Sequence, residues 1–183
     1  MNKLLQMAVD QPWKVLNEVL MYTIKPVVYV YLSMLGVKIG KNFKFYGFPT
    51  IFRTKGSKIV IGDNFECRSW WFSNPLGINH PTVICTWSNK AKIKIGNDVG
   101  ISGGSIVAVD EIKLGNSVLV GANSTIIDTD FHPTRGDIRY SKKNIKSKKV
   151  EIGNNVFIGM NALLLKGSKV PDNYIVPAGG VLR

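Results

Sequence analysis

The chain contains two histidines, His80 and His132. Histidine is the default general base near neutral pH, because its ordinary pKa lies near ~6.5. His132 follows Asp128-Thr129-Asp130-Phe131 and opens His132-Pro133-Thr134-Arg135-Gly136. Asp128 and Asp130 could orient its ring or raise its basicity, a task that backbone carbonyls also perform. His80 precedes Pro81, and the plain reading is a loop histidine. Other chemistries fit poorly. Two histidines and the separated Cys67 and Cys85 do not make the three protein ligands of a zinc site, so no metal is expected. Gly100-Ile101-Ser102-Gly103-Gly104-Ser105 lacks the Gly-Lys-[Ser/Thr] ending of a phosphate loop and reads as tight corners.

Charge narrows the partners. The net charge is +12 over 183 residues, with 45% apolar content. Such a surface favours anions: phosphorylated cofactors, acidic sugars, nucleic acid or an anionic membrane. Lys142 to Lys149 holds five lysines in eight residues, either a solvated loop or a polyanion contact. The aromatics that would stack bases lie far away, at Trp70, Trp71 and Phe72, so nucleic acid is not expected. The two cysteines read as buried thiols in a reducing cytoplasm.

The elements that must position these residues show in a six-residue rhythm. Ile152, Ile158, Leu164, Val170, Val176 and Leu182 follow one another without a missed step. Six fits neither the helical nor the strand period and is the signature of a parallel β-helix. Each hexad makes one side of a coil, with an aliphatic residue inward and small residues at the corner. Earlier blocks are Ile39, Phe45, Ile51; Ile61, Cys67; Ile95, Ile101, Val107; and Leu114, Val120, Ile126. An extra residue near Asp110-Glu111 separates the last two blocks. The rhythm fails twice, at residues 69–81 and after Ile126, where the next step falls on His132. Loops that leave a rigid scaffold are where binding and catalysis concentrate.

Residues 1–36 lack the rhythm. Leu4, Leu5, Val9, Trp13, Leu16, Val19 and Leu20 sit near helical spacing, Pro12 opens a second helix, and Pro26 should end or kink it. The segment reads as a helical pair covering the open end of the coil, or as a membrane-surface anchor with lysines and aromatics at the headgroups. No run reaches ~18 consecutive apolar residues, and no signal peptide is expected. The expected division is therefore a helical segment, 1–36, and a β-helix, 37–183, with loops at 69–81 and 130–149.

Several runs carry a resemblance. Ile95-Gly96-Asn97-Asp98-Val99, Val120-Gly121-Ala122-Asn123 and Ile152-Gly153-Asn154-Asn155-Val156-Phe157-Ile158-Gly159 resemble the hexapeptide-repeat acyltransferases. With Asp130-Phe131-His132-Pro133, the chain from Val37 to Arg183 is similar to the maltose/galactoside O-acetyltransferase branch. Within that branch it looks closest to enzymes acetylating capsule and lipopolysaccharide sugars. The resemblance implies an all-β fold, a left-handed parallel β-helix, a hand opposite to the usual crossover preference. It implies a homotrimer binding acetyl-CoA in grooves between subunits, working in the cytoplasm or on the inner membrane face.

His132 matches the family's catalytic base, and backbone N–H groups near Gly159 and Met160 are the implied oxyanion donors. Met160 and Ala178 match backbone contacts to pantetheine, and Arg183 a position near the adenine. Phe157 stands for a common tryptophan along the cofactor arm. Lys166 stands for a proline and is expected to reach a cofactor phosphate. On the acceptor side the candidates are Ser102, which replaces an asparagine, with Asn123, Asp130, His80 and Trp71. The competing readings are N-acetylation of an amino-sugar nucleotide and a non-enzymatic β-helical scaffold. A carbonic anhydrase on the same solenoid would need a third metal histidine.

Overall fold

A computed structural model describes residues 3–141 and 143–183. Met1, Asn2 and Lys142, the last from the lysine run, lie outside the described residues. Two helices come first, α1 (Lys3–Asp10) and α2 (Pro12–Met34). Among the described residues, eighteen short strands then wind six three-sided coils. The first coil is β1 (Lys38–Ile39), β2 (Lys44–Tyr46) and β3 (Thr50–Arg53). The second is β4 (Lys58–Ile61), β5 (Glu66–Arg68) and β6 (Val83–Thr86). The third is β7 (Lys92–Ile95), β8 (Gly100–Ser102) and β9 (Ser105–Ala108). The fourth is β10 (Glu111–Leu114), β11 (Leu119–Val120) and β12 (Thr125–Ile127). The fifth is β13 (Val150–Ile152), β14 (Phe157–Ile158) and β15 (Leu163–Leu164). The sixth is β16 (Lys169–Val170), β17 (Ile175–Val176) and β18 (Val181–Leu182).

Every third strand stacks in parallel, giving three six-stranded sheets, the faces of a prism: first β1 to β16, second β2 to β17, third β3 to β18. This is the left-handed parallel β-helix that the resemblance implies. The inward side chains form one continuous apolar core, from Phe45 and Ile51 through Ile101 and Ile126 to Leu164 and Val176. The phase differs at one place. Ile106, not Val107, faces inward, in register with Ile84 and Ile126. The corner at Gly103-Gly104 is one residue short, and the phase recovers by β10.

The corner between the first and second faces explains the recurring Ile-Gly-[Asn/Asp/Lys]-[Asn/Asp]. The side-chain oxygens of Asp63, Asn97, Asn116, Asn154 and Asp172 each accept the backbone N–H of the residue stacked one coil before. The distances run from 2.6 to 2.9 Å. The glycine before each donating residue makes room. A Cβ at Gly96 would lie 2.4 Å from the Gly115 carbonyl oxygen. The next residue turns through the left-handed region, as at Asn64, Asp98 and Asn155, which Asn and Asp tolerate best among residues with side chains.

α2 lies across the first coil. Val28 and Leu32 are fully buried in the common core, and Tyr29 stacks on Phe43 with ring centroids 5.8 Å apart. Burial of each aliphatic side chain contributes about 1.5–3 kcal/mol. Pro26 sits inside the helix and does not end it. The buried stripe of Met21, Val28 and Leu32 runs straight past it, and that packing offsets one lost backbone bond. The unbroken helix is, by length and hydropathy, apolar enough to cross a membrane, although no wholly apolar run exists in the sequence.

Candidate active site

Both rhythm failures become loops at corners. Residues 69–82 leave between β5 and β6, where the second and third faces meet, and residues 128–149 leave between β12 and β13, where the third and first meet.

The first loop is tied down throughout. Trp70 stacks on Phe72 at 5.5 Å, and the Trp71 ring meets Phe72 edge-on. Arg68 donates to the Ser73 carbonyl at 2.5 Å. Ser102 accepts from the Asn74 amide at 3.0 Å, and the Asn123 side chain accepts from the Asn79 N–H at 3.0 Å. Both predicted acceptor contacts are therefore engaged in holding this loop. Gly103, at φ +53°, is where the loop crosses the coil: a Cβ there would lie 2.6 Å from Ile78. The shortened corner is the room that the loop occupies. His80 pairs its Nδ1 with the adjacent Pro81 carbonyl at 2.8 Å, and the Trp71 indole is 74% exposed.

The second loop carries His132, which is exposed rather than inward as the count would place it. Neither aspartate orients it. Asp128 is buried and accepts the N–H groups of Val109 and Asp110 at 2.7 and 2.8 Å. Burial pushes its carboxyl above the usual carboxylate range, against those hydrogen bonds. Asp130 accepts from Lys166 Nζ at 2.5 Å, so Lys166 is engaged in an ion pair rather than standing free for a phosphate. The imidazole instead sets Nδ1 3.3 Å from the Arg139 carbonyl oxygen. With Nδ1–H donating there, Nε2 is left as the basic nitrogen. Phe131 holds φ +56°, uncommon for a bulky residue, and packs edge-on against Trp87 at 6.1 Å. Sequence could not reveal Arg139, since any residue supplies a carbonyl, nor the left-handed turn at Phe131.

The remaining candidates line a groove of about 460 Å³ on the second face, with Leu119, Phe157, Ile175 and Pro177 as its apolar wall. Gly159, Met160, Ala178 and Ser102 border it. The Gly159 N–H is spent on the Val176 carbonyl at 2.8 Å. The N–H groups of Ala122, Met160 and Ala178, stacked on successive coils, have no partner among the described residues. The sequence offered Ala122 only as part of the Val120-Gly121-Ala122-Asn123 run, with no role of its own. Gly159 is required, because a Cβ would lie 2.4 Å from the Ala178 nitrogen.

The structure thus sorts the predicted residues into two groups. Phe157, Gly159, Met160, Ala178, Ser102, Asn123, His80 and Trp71 gather on the second face and its corner with the third. Asp130, Lys166 and Arg183 line a separate hollow of about 220 Å³ beside the His132 loop. No group of three metal-ligating side chains occurs among the described residues.

The prism of six-residue sides with Gly-Asn corners, interrupted by two loops, is a left-handed parallel β-helix, and the chain that winds it is similar in sequence to hexapeptide-repeat acetyltransferases. It is similar to galactoside O-acetyltransferase of Lactococcus lactis, 35% identical over 79 residues, which are 43% of this chain and 37% of that one. The galactoside O-acetyltransferase of Escherichia coli is 30% identical over 80 residues, 43% of this chain and 38% of its own. The bifunctional protein GlmU of Streptococcus agalactiae is 31% identical over 90 residues, 49% of this chain and 19% of its own. The chain thus matches less than two-fifths of the length of these relatives. No family model matches it, and no solved structure does.

Proposed function

We propose that this protein transfers an acetyl group from acetyl-CoA to a sugar hydroxyl, with His132 as general base. The observation that carries the reading is the posture of His132: exposed, on a left-handed turn, with Nδ1 facing a carbonyl. The acceptor oxygen attacks the thioester carbonyl as Nε2 takes its proton. The tetrahedral intermediate then expels the CoA thiolate, which recovers the proton from the imidazolium, leaving an O-acetyl ester and CoA. The unpartnered N–H groups of Met160 and Ala178 suit the oxyanion and the pantetheine arm. The apolar wall suits the arm's methylenes.

His132 does not line the groove of its own chain. A homotrimer, in which His132 of one copy faces the groove of the next, would complete the site. The two relatives named as galactoside O-acetyltransferases support a saccharide acceptor. The resemblance favours surface polysaccharide or lipopolysaccharide sugars, acetylated in the cytoplasm or at the inner membrane face.

The test follows CoA release from acetyl-CoA across a panel of saccharide acceptors. His132→Ala should lower kcat by about 10²–10⁴ with little change in KM for acetyl-CoA. Turnover near wild type on the best acceptor would remove His132 from the reaction. A product whose acetyl group survives mild base would move the acceptor from hydroxyl to amine.

A further inference from the structure

α2 has two faces, and only one is used by the fold. Its buried stripe closes the first coil, while Leu16, Val19, Tyr22, Val27, Val30 and Met34 stay between 52% and 82% exposed. These six fall on the side of the helix opposite Asn17, Met21, Val28 and Leu32. From Val15 to Met34 the charged residues are Glu18 and Lys25, and both turn toward the coil. Glu18 accepts from the Tyr46 hydroxyl, and Lys25 lies 4.8 Å over the Phe43 ring. The outward face is therefore uncharged along about 30 Å of helix. Soluble surfaces rarely keep an apolar patch of that length bare.

Charge identifies the occupant. From Val19 to Gly62 the chain has seven basic residues and no acidic one. Lys38, Lys41 and Lys44 are exposed on the first coil, the coil that α2 covers. Lys44 and the exposed Trp13 and Tyr22 border the same cleft beside the helix. An apolar helix face, amphipathic aromatics and an uncompensated basic rim are what an anionic bilayer surface selects. We propose that α2 lies in the plane of an anionic phospholipid surface, its outward face in the acyl boundary and the lysines of the first coil among the headgroups. Although long and apolar enough to span, α2 is held flat by the solenoid. Asn17 bonds the Phe72 carbonyl, the Tyr31 hydroxyl accepts the Ile51 N–H, and Val28 and Leu32 are locked in the core. Spanning would expose all of these.

The test is flotation of the full chain with phosphatidylcholine vesicles, with and without phosphatidylglycerol. The wild type should float with the anionic vesicles. Val19→Glu with Val30→Glu should abolish flotation while leaving the thermal midpoint in place, since both sites are solvent-facing. Lys38→Gln, Lys41→Gln and Lys44→Gln together should weaken anionic-vesicle binding on the order of a hundred-fold, and this set tests the proposal should the glutamates disturb folding. Wild type left in the aqueous phase would overturn the proposal. So would glutamate variants that float unchanged, or a double variant that alters only the oligomeric mass, which would make the face a contact between copies.

Discussion

Asp128 shows how much a single side chain in this fold can be asked to do. It sits next to the catalytic candidate in sequence and looked able to orient it, yet it points into the wall and holds two consecutive N–H groups. Those donors belong to Val109 and Asp110, at the corner just before β10, where the chain re-enters the first face. Asp128→Asn keeps one acceptor and sets an amide donor against the other N–H. It should lower stability at neutral pH by about 1–3 kcal/mol, measured by urea unfolding. The pH dependence has a definite sign. The folded carboxyl titrates above its unfolded value, so the folded state holds the proton in the window between the two. The stability from this group is complete below the unfolded pKa and is lost as pH rises through the folded one. The deficit of Asp128→Asn should therefore widen as pH falls from neutrality, and a constant gap would show that burial does not control this carboxyl. Cys67 obeys the same physics, its thiol pushed up to about 11 by complete burial, which makes it a core side chain rather than a nucleophile.

At the scale of the element, the unit is one rung of the Asn/Asp ladder with the glycine that admits it. Asn116→Ala removes the acceptor of the Asn97 N–H and should cost about 1 kcal/mol. Gly115→Ala should cost more, about 1–3 kcal/mol, because the new Cβ would lie 2.6 Å from the Gly153 carbonyl oxygen. Gly136→Ala, with nothing within 4 Å, is the neutral control. For a chain of this size each kcal/mol shifts the thermal midpoint by about 2–4 °C, so the three variants should separate by melting alone. Equal midpoints for Gly115→Ala and Gly136→Ala would mean that the coils are not in van der Waals contact at that corner. This layer of the fold was legible in the sequence because backbone stacking forces it: the period, the glycines and the Asx residues are all local demands. Pro26 and Val107 misled because there tertiary contacts decide. A helix already packed along one stripe tolerates a proline. A corner shortened to pass a loop shifts phase by one residue, and nothing local marks it.

At the scale of the whole molecule, the two groups of candidate residues stand on different corners of the prism, and the sequence could give their identities but not this separation. Nothing local records that His132 and the groove are apart, because each obeys the geometry of its own coil. Either His132 acts elsewhere, or another copy carries the second half of the site. The two cases give opposite results when subunits are mixed. Ala178→Trp should fill the groove, since Ala178 is exposed on its wall, while leaving His132 intact. His132→Ala removes the base and leaves the groove open. Each variant alone should be inactive. Co-expressed in equal amounts with different tags, they should assemble rings in which roughly a quarter of the neighbouring pairs combine an intact histidine with an open groove. Every mixed trimer holds one such pair in three, so acetyl transfer should return to about a third of wild type in the doubly tagged pool and stay absent from the singly tagged ones. A doubly tagged pool without activity would place the whole reaction within one chain. If instead Ala178→Trp alone stayed active, His132 would have to reach a cofactor lying along its own third face, beside Asp130, Lys166 and Arg183, and the groove on the second face would be left for something other than acetyl-CoA.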